Sequence, residues 1–249
     1  MVAILWWSKG VEGFQYPLKT GSYAQYSVKI TQNGKSQESH LRTALVSEEN
    51  RNRKTYYWIE HDIFPQGGGD IQKMKALIPA DNWKAYLRNP MKNPLKPIEV
   101  DLETKEKQVK KLKNPEEFRD VASNFGPGFI ILKDFAQAVK EKPKEKVKVK
   151  VKSGEYSTQR YEVVIQTTEE YEMDSTGTQR ISTRSQGSLW AADEIPFGIV
   201  KIFLEREETT TYRVGEGIRI LTPPEVNKYT LEMELLTYGD DATSLFSEE

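Results

Sequence analysis

Alternation of apolar and polar residues with a period of two dominates the chain. In Ser22–Thr31, Ala24, Tyr26, Val28 and Ile30 fall on one side while Gln25, Ser27 and Lys29 fall on the other, the pattern of a strand with one buried face. Asn33-Gly34 follows, and both residues tolerate the positive φ that a two-residue hairpin turn requires. Leu41–Glu48 and Thr55–Phe64 predict two more strands, the latter with Tyr57, Ile59, His61 and Ile63 on one side. Gly67-Gly68-Gly69-Asp70 predicts a flexible turn and Ile71–Ile78 a fourth strand, which together make an antiparallel meander.

The pattern then changes. Asp81 can cap a short helix over Asn82–Arg88 that Pro90 stops, and the prolines that follow, up to Pro97, make the next stretch irregular. Asp101–Val109 reads as a strand pair and Pro115–Val121 as a short helix. Beyond Gly126-Pro127-Gly128, Phe129–Lys140 has apolar residues at 131, 132, 135, 136 and 139, a helical spacing. From Lys144 the β pattern resumes. Val147, Val149 and Val151 alternate with lysines, and Tyr161, Val163 and Ile165 continue after a turn at Ser153-Gly154. Gln179–Ala192, Ile199–Glu205, Thr210–Val214, Gly217–Leu221 and Tyr229–Thr237 predict the remaining strands. The expected fold is mostly β (α+β in form): one domain over 1–249, a curved antiparallel sheet with a helical and loop insertion at 80–141.

Composition narrows the chemistry. The 249 residues carry 36 basic and 37 acidic side chains, a formal net charge of −1, which does not mark a dedicated nucleic-acid binder. With no cysteine there is no disulfide, thiolate metal site or cysteine nucleophile. His40 and His61 are the only histidines, and no HExxH spacing occurs. His61 lies on the apolar side of its strand, where a satisfied core or lining histidine is the better reading. Alternation sends Glu60 and Asp62 to the opposite face, which separates the three as a constellation. No G-x-S-x-G elbow, phosphate loop or Rossmann glycine pattern is present, and Asp193-Glu194 is an ordinary surface pair. No catalytic residue, metal site or cofactor is expected, and the chain reads as a non-enzyme.

Two features bear on binding. Between Lys140 and Lys152 seven lysines face two glutamates, a local balance of +5. Lys146, Lys148, Lys150 and Lys152 read either as a peripheral contact with an anionic surface or as a solvated face that guards a sheet edge. Aromatics such as Trp58, Phe129, Trp190 and Phe197 mostly read as core, yet a helical lid over a curved sheet encloses an apolar cavity that some of them would line. No apolar run reaches the ~18–20 residues needed to cross a bilayer. The start Met1–Trp7, within an apolar stub over 1–12, reads equally as a strand or plug and as the end of a secretory signal.

The run Gly187-Ser188-Leu189-Trp190-Ala191-Ala192-Asp193-Glu194-Ile195-Pro196-Phe197-Gly198-Ile199-Val200-Lys201 is similar to a strand–turn–strand segment, W-x-x-D-x-P-x-G-x-V-K, of uncharacterised secreted bacterial proteins, from which it departs by one more residue between Asp193 and Pro196. Those proteins resemble the LolA/LolB-like lipoprotein carriers. Pro17–Tyr26 and Leu236–Ala242 look like the start and end of such domains. The resemblance implies a half-barrel whose concave face is covered by helices and takes acyl chains, in a periplasmic or secreted protein. It makes Trp58, Phe129, Leu132, Trp190, Phe197 and Val200 the candidate ligand-binding residues. Two further readings stand beside the carrier: an interaction module with a filled core, and an envelope-polymer hydrolase.

Overall fold

The computed structural model describes residues 18–68, 70–82, 97–103, 109–112, 144–173, 177–214 and 223–246. They form β1 (Tyr23–Gln32), β2 (Lys35–Arg51), β3 (Lys54–Pro65), β4 (Gln72–Pro79), β5 (Glu99–Glu103) and β6 (Val109–Leu112). β7 (Glu145–Val151), β8 (Gly154–Met173), β9 (Gly177–Ala191), β10 (Ile199–Val214) and β11 (Glu225–Gly239) follow. All belong to one sheet in the order β6-β5-β4-β3-β2-β1-β11-β10-β9-β8-β7. Every neighbouring pair is antiparallel. The chain therefore builds two meanders outward from the centre, and the pairing of β1 with β11 zips them together.

Turn chemistry sets the registers. Asn33 (φ 49°) and Gly34 (φ 84°) make the expected primed turn between β1 and β2, and Asn52 (φ 49°) and Arg53 (φ 64°) make another between β2 and β3. With register pinned, period-two alternation puts one set of side chains inward. Val28, Met233, Ile202, Leu189 and Tyr161 form one cross-strand row, and Ile30, Leu231, Leu204, Gly187 and Val163 the next. In the other meander Leu45, Ile59, Ala76, Val100 and Leu112 form a third row, all buried. Removing such apolar surface from water is the main stabilising term for a fold of this kind.

The sheet is strongly coiled at its β7 end. Ser153, in the β7–β8 turn, donates to the Leu235 carbonyl of β11 at 3.1 Å, although three strands intervene in the sheet. Tyr156 and Tyr238 meet edge to face with centroids 6.4 Å apart. Gly187 marks the bend: a Cβ there would run into the backbone of Phe203, with Leu204 Cα at 2.9 Å.

The mostly antiparallel β expectation stands, and the helical and loop insertion at 80–141 is described only in part. Within 80–141, described helix amounts to the turn Ala80–Asn82, while β5 and β6 extend the sheet edge. The rest of the helix over Asn82–Arg88, and those over Pro115–Val121 and Phe129–Lys140, lie outside the described residues, as do the strand Gly217–Leu221 and the stub 1–12. One correction concerns Ile199–Glu205 and Thr210–Val214, which are a single strand, β10. The polar run Glu205–Thr209 interrupts the apolar pattern but not the ladders, because β9 and β11 pair with it on both sides.

Candidate functional site

The feature with the most chemistry is a lattice of charges on the outer face of β2–β5. The strands place Arg42 opposite Asp62, Asp62 opposite Lys73 and Lys73 opposite Glu103. One row along, Ala44, Glu60, Lys75 and Asp101 align. Arg42 Nη1 bonds Glu60 Oε1 at 3.2 Å and Asp62 Oδ2 at 2.9 Å, and both carboxylates are fully buried. Lys73 pairs with Glu103 at 2.8 Å, and Lys75 lies 3.9 Å from Asp101. Arg51 continues the lattice outward by bridging Glu49 and, at 3.2 Å, Glu99. Trp58 Nε1 donates to Glu49 at 3.1 Å.

The carboxyl-terminal residues after β11 cover this lattice. Asp240 is pinned first, by Ser22 Oγ at 2.8 Å and by Lys19 at 3.0 Å, and the Ala242 N–H donates to the Gly21 carbonyl at 2.9 Å. Gly21 (φ +95°) permits the approach, since a Cβ there would collide with the Asp240 carbonyl. The chain then crosses β2–β4. Arg42 Nη2 donates to the Thr243 carbonyl. Glu60 accepts from Ser244 Oγ at 2.6 Å and from the Leu245 N–H at 2.8 Å. Lys73 donates to the Leu245 carbonyl at 2.6 Å. Lys75 Nζ sits 4.9 Å from the ring centres of both Trp58 and Phe246, a cation–π sandwich over a ring that is otherwise buried.

Burial, then the neighbouring Glu60 carboxylate, push Asp62 up to about 8 against the pull of Arg42. Asp62 Oδ1 receives no hydrogen bond, and a proton held on that carboxyl relieves the repulsion from Glu60. On the inner face His61 takes the other course. Burial pushes it down to about 3, so it is neutral, with Nδ1 3.0 Å from Thr43 Oγ1 and Nε2 unpartnered. Glu60, His61 and Asp62 are thus divided between the two faces, as alternation requires. Both Glu60 and Asp62 are tied to Arg42, which suits a clamp. Among the described residues no group of three or more His, Cys, Asp or Glu is arranged to hold a metal ion.

The residues singled out from the sequence lie elsewhere and do not converge. Trp58 on β3 and Trp190 on β9 are half-buried on the outer side, five positions apart in the sheet, and Trp190 is stacked by Arg160 at 5.6 Å. Val200, at a bulge between Ile199 and Lys201, and Phe197 are buried. Phe129 and Leu132 lie outside the described residues. A recess of about 390 Å³ opens at the β1–β2 turn, lined by Ile30, Gln32, Asn33, Lys35, Ser36 and Gln37, none of them a candidate. Sequence reasoning missed the lattice. Its signal was present: charged residues two apart on successive strands, Glu60/Asp62, Lys73/Lys75 and Asp101/Glu103, with alternating sign.

The sheet also leaves an open edge. β7 pairs with β8 only from Gly154 to Arg160, and among the described residues nothing pairs with that side of Tyr161–Met173. This edge carries Glu162, Glu169, Glu170 and Glu172, and Val164 on it is 57% exposed. Lys146, Lys148 and Lys150 are exposed along β7, and Lys148 is 3.4 Å from Glu155 of β8.

No family model matches the chain, that of the LolA/LolB-like carriers included, and no curated protein matches it. Among solved structures the chain is similar to a Bacteroides fragilis protein of YmcC-like fold, put forward as exported. The likeness covers 91% of this chain and 99% of that one, at 11% identity and a TM-score of 0.34.

Proposed function

We propose that the protein is a non-enzymatic interaction module, acting outside the cytoplasm, that adds an extended segment of a partner to the free edge of β8. The observation that carries this reading is the edge itself. Tyr161–Met173 runs roughly 40 Å with one ladder made and, among the described residues, the other open. An unpaired strand edge is a template for another strand, and main-chain hydrogen bonds supply affinity in that mode of recognition. Glu162 already pairs with Lys144, and Glu170 lies 3.8 Å from Arg180; Glu169 and Glu172 add the negative charge that disfavours pairing with a second copy of this edge and favours a segment with alternating lysines. β7 already shows the match, since its lysines lie beside Glu155 on the same strand. On this reading the stripe Lys146, Lys148, Lys150 and Lys152 guards the β7 edge rather than touching lipid.

The carrier reading has less behind it. The inner face is filled across both meanders by side chains such as Leu45, Ile59, Met74, Ile202 and Leu235, none more than 1% exposed. The candidate residues do not gather around a described cavity.

Hydrogen exchange tests the proposal. In the isolated protein, alternate amides of 162–172 exchange fast. A nine-residue alternating Lys/Val peptide slows them, and a Glu/Val peptide of equal length does not. Slow exchange of that edge in the monomer without peptide overturns the reading. Native mass spectrometry of protein from a lipid-containing host decides the alternative, because a retained acyl chain would restore the carrier.

A further inference from the structure

The way residues 240–246 are held divides them into a fixed part and an exchangeable part. Residues 240–242 are tied to the Lys19–Ser22 turn by an ion pair, a side-chain bond and a main-chain bond. Residues 243–246 make no strand pairing. They rest on the lattice through Arg42, Glu60, Lys73 and Lys75. Most of these contacts read main-chain groups of the segment: the carbonyls of Thr243 and Leu245 and the N–H of Leu245. Two read side chains, the Ser244 hydroxyl and the Phe246 ring. That division is how a groove recognises an extended peptide, with backbone bonds for affinity and a few side chains for selectivity.

The chemistry underneath makes the contact reversible. A segment covering an apolar face would expose that face to water on leaving, at a large cost. Here the groups in contact with the segment are Arg42, Glu60, Lys73 and Lys75, charged side chains that water can solvate once the segment leaves. Phe246 is the one apolar ring that leaves with the segment, and Leu245 is already 37% exposed. The change of holding mode between Ala242 and Thr243 provides the hinge.

We infer that the outer face of β2–β5 is a peptide-binding site of which Thr243–Phe246 is the resident ligand, held in cis and exchangeable for the same sequence in trans. Glu60 is its centre, because its two oxygens take the Ser244 hydroxyl and the Leu245 amide while Arg42 neutralises it. The site is distinct from the β8 edge, so either proposal can fail alone.

The test uses the full chain. Leu245→Pro removes the N–H given to Glu60 and loosens the resident segment while leaving the face intact. The probe is a fluorescein-labelled peptide, Asp-Asp-Ala-Thr-Ser-Leu-Phe-Ser-Glu-Glu, the sequence of 240–249. Fluorescence polarisation should show at least tenfold tighter binding to the Leu245→Pro protein than to the unaltered one. Adding Glu60→Gln should reverse that gain, and a peptide with Ser and Phe both changed to Ala should bind neither. If Leu245→Pro does not fold, Phe246→Ala takes its place. A folded, loosened variant that takes up no peptide overturns the inference, and so does uptake indifferent to Glu60→Gln. In the unaltered protein, the Leu245 and Phe246 amides should exchange at least a hundredfold faster than those of β1 and β11. Equal protection overturns the reversible hinge.

Discussion

Asp62→Asn isolates the electrostatic cost of the buried lattice. Asp62 is held up to about 8 in the folded chain against an ordinary 3.8, by burial first and the Glu60 carboxylate second. Across that interval the folded protein keeps a proton that the unfolded chain has released. Stability is therefore greatest below the unfolded value and falls as pH rises towards 8, by about 1.4 kcal/mol per pH unit. His61 has the opposite sign. Its folded value is pushed down to about 3 from 6.5, so its contribution is complete above 6.5 and is lost as pH falls towards 3. The two slopes oppose each other between pH 4 and 6.5. From 6.5 to 8 Asp62 acts alone, and the protein should lose about 2 kcal/mol over that window. Asparagine mimics the protonated carboxyl: its carbonyl accepts from Arg42, and its amide donates towards Glu60. Urea unfolding followed by tryptophan fluorescence at half-unit steps from pH 6 to 8.5 measures the difference. The unaltered protein should show the decline and Asp62→Asn a flat line, with the variant the more stable of the two at pH 8.5. A flat profile for the unaltered protein, or the same decline in the variant, would refute the reasoning.

Two substitutions test local strain by thermal or urea melting. Phe197 sits at φ +62° in a turn closed by the Gly198 N–H to the Ile195 carbonyl at 2.9 Å, and its ring is buried. Both Phe197→Ala and Phe197→Gly lose the ring, but only glycine relieves the backbone, so the glycine variant should be the more stable by about 1 kcal/mol; equal losses would remove the strain argument. Arg53→Gly converts Asn52-Arg53 into the preferred residues for a primed turn and should stabilise the protein by roughly 0.5 kcal/mol; a loss would show that the arginine contributes more than its strained φ costs.

Much of this architecture is written in local pattern. The strand faces, the Asn33-Gly34 turn and the separation of His61 from Glu60 and Asp62 all follow from a period of two and from the φ preferences of a few residues. Where the local pattern was read too literally, it misled. The polar run in β10 looked like a break because its sequence cannot show the two neighbouring ladders that sustain it. The resemblance over Trp190–Lys201 supplied Phe197 and Val200, which are buried packing residues around a bulge and a strained turn.

Alternation tells which residues share a face but not which face will be covered. Arg42, Glu60, Asp62, Lys73 and Lys75 stand where a solvated surface is the natural reading. They become a site only because β11 pairs with β1 and delivers Ser244 and Leu245 onto Glu60, some 184 and 185 residues away along the chain. Local pattern carries the strand faces and the sign of each charge, though not every strand boundary. The tertiary structure alone decided that this charged face is buried and what lies on it, because contact between distant segments depends on sheet order and register rather than on any local preference.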